Sequence, residues 1–233
     1  LQAELEGTEL IGGWGGAWGR RAGARRLGAG STACWATARC ATCTAASGPI
    51  AGCHVLVQGG AGGVGSLAVG FARQARGNVI ATVRSSADAE AARHAGAHEV
   101  VRTDTRSDAE IVDEVLRLAP GGVHHIVEVD FDANIDVDEQ VLVIGGSIAA
   151  YATGNARPDI PFWNLLFKNA SLHLLGSDDF PIERKLAAAS AVNELLAQGW
   201  RGVRIDRTFA LAHIAAAHEH AESRHPGRVV LSV

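Results

Sequence analysis

Gln58-Gly59-Gly60-Ala61-Gly62-Gly63-Val64-Gly65 constrains the fold of this chain more than any other stretch. Ahead of it, His54 to Gln58 is a short apolar run stopped by glycine, the pattern of a buried strand. Behind it, Ser66 to Arg76 reads as a helix that turns Leu67, Val69, Gly70 and Phe71 inward. Gly60, Gly62 and Gly65 form G-x-G-x-x-G at the junction, and each has its own reason to lack a side chain. The first permits a tight turn, the second lets backbone approach a ligand, and the third lets the helix pack closely on the strand. A strand, such a turn and a helix in succession make a binding site for a dinucleotide, whose diphosphate meets the free amides and positive end of the helix. A lone G-x-G-x-x-G is weak, but this one heads a train of further strand and helix units.

After Cys53, short apolar runs alternate with helical patterns, which predicts a parallel sheet with crossover helices. Strands are expected at Asn78 to Val83, His98 to Arg102, His124 to Val129, Leu142 to Tyr151 and Ser171 to Gly176. Helices are expected at Ala87 to Ala95, Asp108 to Leu118 and Glu183 to Gln198. With the opening strand this makes a six-stranded, doubly wound α/β sheet, a Rossmann fold. A strand near Val203 to Phe209, a helix from Leu211 to Ser223 and a closing strand from Arg228 to Val233 complete the chain.

Residues 1 to 47 are different. They are rich in Gly, Ala, Arg, Trp and Cys, and neither a helical nor a strand period persists in them, so no packed element is assigned. The domain division is therefore an atypical, irregular segment over 1–47 and a dinucleotide-binding domain with a C-terminal return over 48–233. Cys34, Cys40, Cys43 and Cys53 crowd into the first quarter, unlike a disulfide framework. Cys40 and Cys43 have the C-x-x-C spacing of a metal or redox pair, but a second pair is missing. The chain lacks methionine, which suggests a fragment; the composition of 1–47 suits an out-of-frame reading of a GC-rich gene, testable by translating the other two frames.

Charge and hydropathy exclude other classes. A net charge of -4 without a basic stripe argues against nucleic acid, and no apolar run approaches the roughly 20 residues that span a bilayer. The expectation is a cytoplasmic protein. Ten histidines are present, but His124, His125, His218 and His220 meet no evident acid or metal set and read as structural or surface groups.

The second strand selects the dinucleotide. An NAD site carries Asp or Glu roughly 20 residues beyond the glycines to accept from the ribose hydroxyl, whereas here Val83-Arg84-Ser85-Ser86 stands there. Arg84 can pair with a 2'-phosphate and Ser85 can donate to it, so NADPH is favoured. The alternatives are a solvated Arg84, and an Asp88 that turns back to the ribose of NADH. S-adenosylmethionine enzymes share the strand, loop and helix but usually want the missing acid.

The stretches GPIAGCHVLVQGGAGGVG, NVIATVRS, IVEVDF, GSIAAYA, PFWNLLFKN and HPGRVVLSV, running from Gly48 to Val233, resemble the quinone oxidoreductases similar to zeta-crystallin, within the medium-chain dehydrogenase/reductase superfamily. The resemblance implies NADP(H) as cofactor, no zinc or other metal, hydride transfer to a quinone, enone or small carbonyl acceptor, and a homodimer through the strand near Ser171 to Gly176. It implies that backbone around Ala61, Gly62, Gly63 and Val64, between Gly60 and Gly65, holds the diphosphate, with Arg84 and Ser85 toward the 2'-phosphate. Arg102 and Thr103 border the adenine, Thr103 replacing a more usual tyrosine. Val129, Ala150, Tyr151 and Thr153 follow strand ends that face the cofactor crevice. Family members carry a GroES-like catalytic domain ahead of this one, and residues 1–47 are too short to be it, so the catalytic residues are unknown. Two other readings stay open: an NADP-binding module without catalysis, and a zinc-dependent alcohol dehydrogenase whose ligands lie outside this chain.

Overall fold

Six parallel strands form one sheet in the computed structural model, which describes residues 8–11, 50–176, 180–201, 204–223 and 227–233. The strands are β2 (His54–Val57), β3 (Asn78–Val83), β4 (Glu99–Arg102), β5 (Val123–Glu128), β6 (Leu142–Ala150) and β7 (Ser171–Leu174). Their spatial order is β4-β3-β2-β5-β6-β7. The chain steps outward from β2 through β3 to β4, then crosses back to β5 and continues to β7. The strand order reverses between β2 and β5, and a crevice opens there beyond their carboxyl ends.

Both faces of the sheet are covered, as a parallel sheet requires. Successive side chains point to opposite faces. Val55, Val57, Val79 and Ala81 pack with Ala68, Val69, Ala72, Ala89 and Ala92 of α1 (Gly63–Gln74) and α2 (Ser86–Ala95). Leu56, Ile80 and Ile126 pack on the other side with Ile111 and Val115 of α3 (Asp108–Leu118) and Phe131, Ile135 and Val141 of α4 (Phe131–Val141). The alanines let α1 and α2 approach the sheet closely. α3 begins where its sequence specifies: Ser107 accepts from the Glu110 amide while the Glu110 carboxylate accepts from Ser107, a capping box.

The expected fold and its six sheet strands are present, with ends differing by one or two residues. Two helices were not expected, α4 and the short α5 (Phe162–Phe167). The expected Glu183 helix is α6 (Ile182–Ala197), and the expected Leu211 helix is a 3-10 turn (Leu211–His213) leading into α7 (Ile214–Glu222). β8 (Ile205–Ala210) and β9 (Arg228–Ser232) leave the main sheet and pair in parallel. β1 (Thr8–Ile11), in the segment to which the sequence assigns no element, pairs antiparallel with β9, Thr8 opposite Ser232. The three make a second small sheet in the order β1-β9-β8. The C-x-x-C pair lies outside the described residues.

Candidate functional site

Gly59 bends the chain out of β2 with φ +65°, in the left-handed region that glycine tolerates best. Its amide donates to Thr82 Oγ1 at 3.1 Å, and its carbonyl accepts from the Gly62 amide at 2.9 Å, closing the turn. The Gly60 amide donates to the Thr82 carbonyl at 2.9 Å, tying the loop to β3. A Cβ on Gly60 would lie 2.6 Å from the Ala81 Cβ, and one on Gly65 would lie 2.2 Å from the Gly59 carbonyl oxygen. Gly65 has the close-packing reason expected of the third glycine, whereas Gly60 is required by its approach to Ala81 of β3 and the tight turn falls on Gly59.

α1 starts uncapped. Ser85 and Ser107 close the N-termini of α2 and α3 with their hydroxyls, whereas Gly62, the N-cap of α1, has no side chain to do so. The first amides of a helix have no acceptor within it, so this end offers donors and a positive dipole to an anion. A second positive group stands beside it. The Arg228 guanidinium, from the start of β9, lies so close over Gly63 that a Cβ there would fall 1.3 Å from Nη2. Burial pushes the Arg228 pKa down, while Tyr151 acts in the other direction. Arginine remains a cation under such a shift. Among the described residues it forms no ion pair. A half-buried cation without a carboxylate, beside an open helix N-terminus, is an arrangement that an anion completes.

The other expected residues divide. Val129 faces the loop across the switch point, 3.1 Å from where a Cβ on Gly59 would be. Tyr151 packs against the apolar cluster on the α1 side, and its amide donates to the Glu128 carbonyl at 3.1 Å. Ala150 is buried at the end of β6, and the Thr153 hydroxyl accepts from the Asn155 amide. Arg84 is exposed at the end of β3, next to Ser85, whose hydroxyl already accepts from the Asp88 amide. Thr103 is bound to the Val83 carbonyl through both its amide and its hydroxyl, which brings the end of β4 beside Arg84. Arg102 is paired with Asp104 through Nε and Nη2, the shorter bond 2.6 Å. The sequence reading missed Arg228, which looked like an ordinary strand residue although it stands in one of the family-like stretches. It also assigned no role to the buried polar residues under the loop, Thr82, Glu128 and Asp138.

The profile of the zinc-binding dehydrogenase family matches residues 63–188, from the start of α1 into α6. The chain belongs to that family. Membership fits the medium-chain dehydrogenase/reductase resemblance. A 2-haloacrylate reductase from a Burkholderia species is 30% identical over 194 residues, 77% of this chain and 55% of that protein. Among solved structures, a mycobacterial quinone oxidoreductase superposes with a TM-score of 0.77 at 22% identity, over 91% of this chain and 65% of its own. The crystal structure of a 2-haloacrylate reductase gives 0.73 at 24%, over 88% and 65%. A mycobacterial homologue solved with NADPH gives 0.71 at 22%, over 85% and 62%. The chain thus spans little more than half of the curated relative's length. Despite the family's name, among the described residues no group of three or more His, Cys, Asp or Glu is placed to hold a metal ion.

Proposed function

We propose that this zinc-binding dehydrogenase chain is the cofactor-binding part of an NADPH-dependent oxidoreductase that passes hydride to a quinone, an enone or another small electron-poor acceptor. The reading is carried by the bare, uncapped turn at Gly62 with Arg228 lying over Gly63. The 2-haloacrylate reductase relative and the NADPH-bound structural neighbour support it. The amides of Gly63, Val64 and Gly65 and the Arg228 guanidinium would hold the diphosphate. Arg84 and Ser85, at the start of α2, would hold the 2'-phosphate, and no carboxylate occupies residues 84–86 to repel it. When bound, NADPH supplies the hydride. Val129, Ala150, Tyr151 and Thr153 would line the nicotinamide side, where apolar walls exclude water and fix the ring.

Fluorescence titration with NADPH and NADH, run beside NADPH oxidation at 340 nm with a simple quinone, tests the proposal. Tighter binding of NADPH is expected; equal or tighter binding of NADH would overturn the cofactor choice. Binding without turnover would favour a cofactor-binding module for this chain alone, which its share of the relative's length makes the second reading.

Arg228→Ala is expected to weaken NADPH and NADH alike, by roughly 10- to 100-fold, the equivalent of one charge-assisted hydrogen bond. Arg84→Ala is expected to weaken NADPH only. An Arg228→Ala protein with unchanged affinity for both would remove Arg228 from the site.

β7 is one of the two edge strands of the sheet, with β4 at the other edge, and a homodimer through β7 is part of the proposal. Leu174 on this strand is 73% exposed, and Ile144, Trp163 and Phe167 nearby in the chain are 76%, 64% and 72% exposed. Trp163 stacks on Phe167 with ring centroids 6.1 Å apart. So much exposed apolar surface beside an unpaired strand edge suits association. Leu174→Glu is expected to convert a dimer to a monomer in light scattering, whereas an unchanged mass would refute this edge as the interface. No helix among the described residues is long and apolar enough to cross a membrane, and the cytoplasm is the proposed location.

A further inference from the structure

Beneath the crevice lie two carboxyl groups with no solvent access. Glu128 ends β5 and Asp138 belongs to α4, and both are 0% exposed. Among the described residues neither meets Lys or Arg in an ion pair. Burial pushes both pKa values up, Asp138 well above the ordinary carboxylate range; Glu128 raises Asp138 further, whereas Asp138 acts on Glu128 in the opposite direction. One oxygen of each, Glu128 Oε2 and Asp138 Oδ2, has no other donor. The two carboxyl groups act on each other, and one proton held between them would satisfy both oxygens. Glu128 Oε1 already accepts from the Asp130 amide and from Asn134 Nδ2, the latter at 2.9 Å. That placement stabilises the anion on Glu128 and leaves the proton on Asp138.

With the proton there, one unbroken line of donors and acceptors crosses the switch point. The Gly59 amide donates to Thr82 Oγ1 at 3.1 Å, the Thr82 hydroxyl to Gln58 Oε1 at 2.6 Å, and Gln58 Nε2 to Asp138 Oδ1 at 2.8 Å. Asp138 then donates to Glu128, which takes the amide of Asp130. Every bond from Gly59 to Glu128 runs the same way, the arrangement in which each polarises the next. The line ends in the glycine loop after β2 and in the turn after β5, and it passes through the end of β3. These are the segments bordering the crevice. Filling the same volume with apolar side chains would be at least as stable in a core.

We propose that this relay holds the glycine loop in its cofactor-ready shape, with Thr82 and Asp138 as positioning residues for the dinucleotide. The proposal rests on the NADPH reading above. It acts at Gly59, whose left-handed bend begins the loop and whose amide is fixed by the Thr82 hydroxyl.

The test compares Thr82→Val, which keeps the shape and removes the hydroxyl, with Thr82→Ser, which keeps the hydroxyl. Two readouts are taken on the full chain after thermal melting has established folding: NADPH titration, and hydrogen exchange of the Gly59 amide without cofactor. Thr82→Val is expected to raise the NADPH Kd tenfold or more and to speed the Gly59 exchange by a similar factor. Thr82→Ser is expected to stay within twofold of the parent in both. Asp138→Asn, which can still accept from Gln58 and donate to Glu128, is expected within threefold. Should Thr82→Val not fold, Thr82→Ala carries the same expectations. Parent-like affinity and exchange in Thr82→Val, or a Thr82→Ser protein as weak as Thr82→Val, overturns the relay while leaving the cofactor reading intact. A parent protein that shows the exchange pattern but takes up no NADPH overturns the cofactor reading and the positioning role with it.

Discussion

Gly65→Ala is expected to abolish measurable NADPH binding and to lower folding stability by about 1–3 kcal/mol, the usual range for overpacking a tight site. The added Cβ would sit 2.2 Å from the Gly59 carbonyl oxygen, 2.9 Å from the Gly59 carbonyl carbon and 2.9 Å from the Gly60 Cα. All three are backbone atoms, so no rotamer change relieves the clash. Either α1 must lift from β2 or the Gly59 turn must open, and both moves pull the helix amides away from the place where a diphosphate would meet them. Affinity and stability therefore fall together, unlike the Arg228→Ala case, where a charge is lost and the loop keeps its shape. Gly176 serves as the control: a Cβ there meets nothing within 4 Å, its backbone is not left-handed, and Gly176→Ala should stay within about 0.5 kcal/mol of the parent. NADPH titration beside urea denaturation measures both effects. A Gly65→Ala protein that binds NADPH as tightly as the parent would show that this loop is not the diphosphate site.

What the sequence disclosed was local. Asn78–Val83 and Asp108–Leu118 coincide with their expected bounds because each carries a complete signal. The first is an apolar run interrupted only by Thr82, between Gly77-Asn78 and Arg84; the second has a capping box at its start, Ile111, Val112 and Val115 on one stripe, and Pro120 beyond its end. α4 went unseen for a physical reason. Its sequence, FDANIDVDEQV, carries four acids, and one of them, Asp138, faces the core beside Ile135, Val137 and Val141. A carboxyl breaks an apolar stripe when read as a charge, and nothing in a sequence tells that this one is neutral. Arg228 escaped for a different reason. Its place over Gly63 depends on β9 leaving the main sheet, a tertiary fact that a five-residue strand does not encode. The glycine loop was legible as a strand-turn-helix junction, although the left-handed turn falls on Gly59 and Gly60 is constrained by Ala81 of β3.

Stability is expected to carry a component that declines as pH rises above the ordinary carboxylate range, and Asp138→Asn is expected to remove it. Two sets of groups act in opposite directions. His54, His98 and His125 all have their pKa values lowered, burial being the largest cause in each. His98 Nδ1 accepts from the Val79 amide at 3.0 Å, and the buried His125 Nδ1 lies 2.9 Å from Ser147 Oγ. A histidine with a lowered folded pKa stabilises fully above its unfolded value near 6.5, and that stability is lost as pH falls below it. Glu128 and Asp138 have raised values, so the folded state holds protons that the unfolded chain has already released. Their contribution is complete below the ordinary carboxylate values of 4.5 and 3.8 and is lost as pH rises through the raised ones. Between 4.5 and 6.5 the two sets oppose each other. Above 6.5 the histidines are neutral in both states, and Glu110 and Glu114, held low by Ser107 and Arg117, have long since ionised. The buried carboxyl proton contributes a slope of up to about 1.4 kcal/mol per pH unit while it leaves. The amide introduced by Asp138→Asn has no acidic proton to lose and keeps the relay's donor and acceptor, so the variant's profile should be flat where the parent's falls. Urea denaturation at stepped pH measures both proteins; parent and Asp138→Asn profiles that run parallel throughout the range above the ordinary carboxylate values would place the buried proton elsewhere.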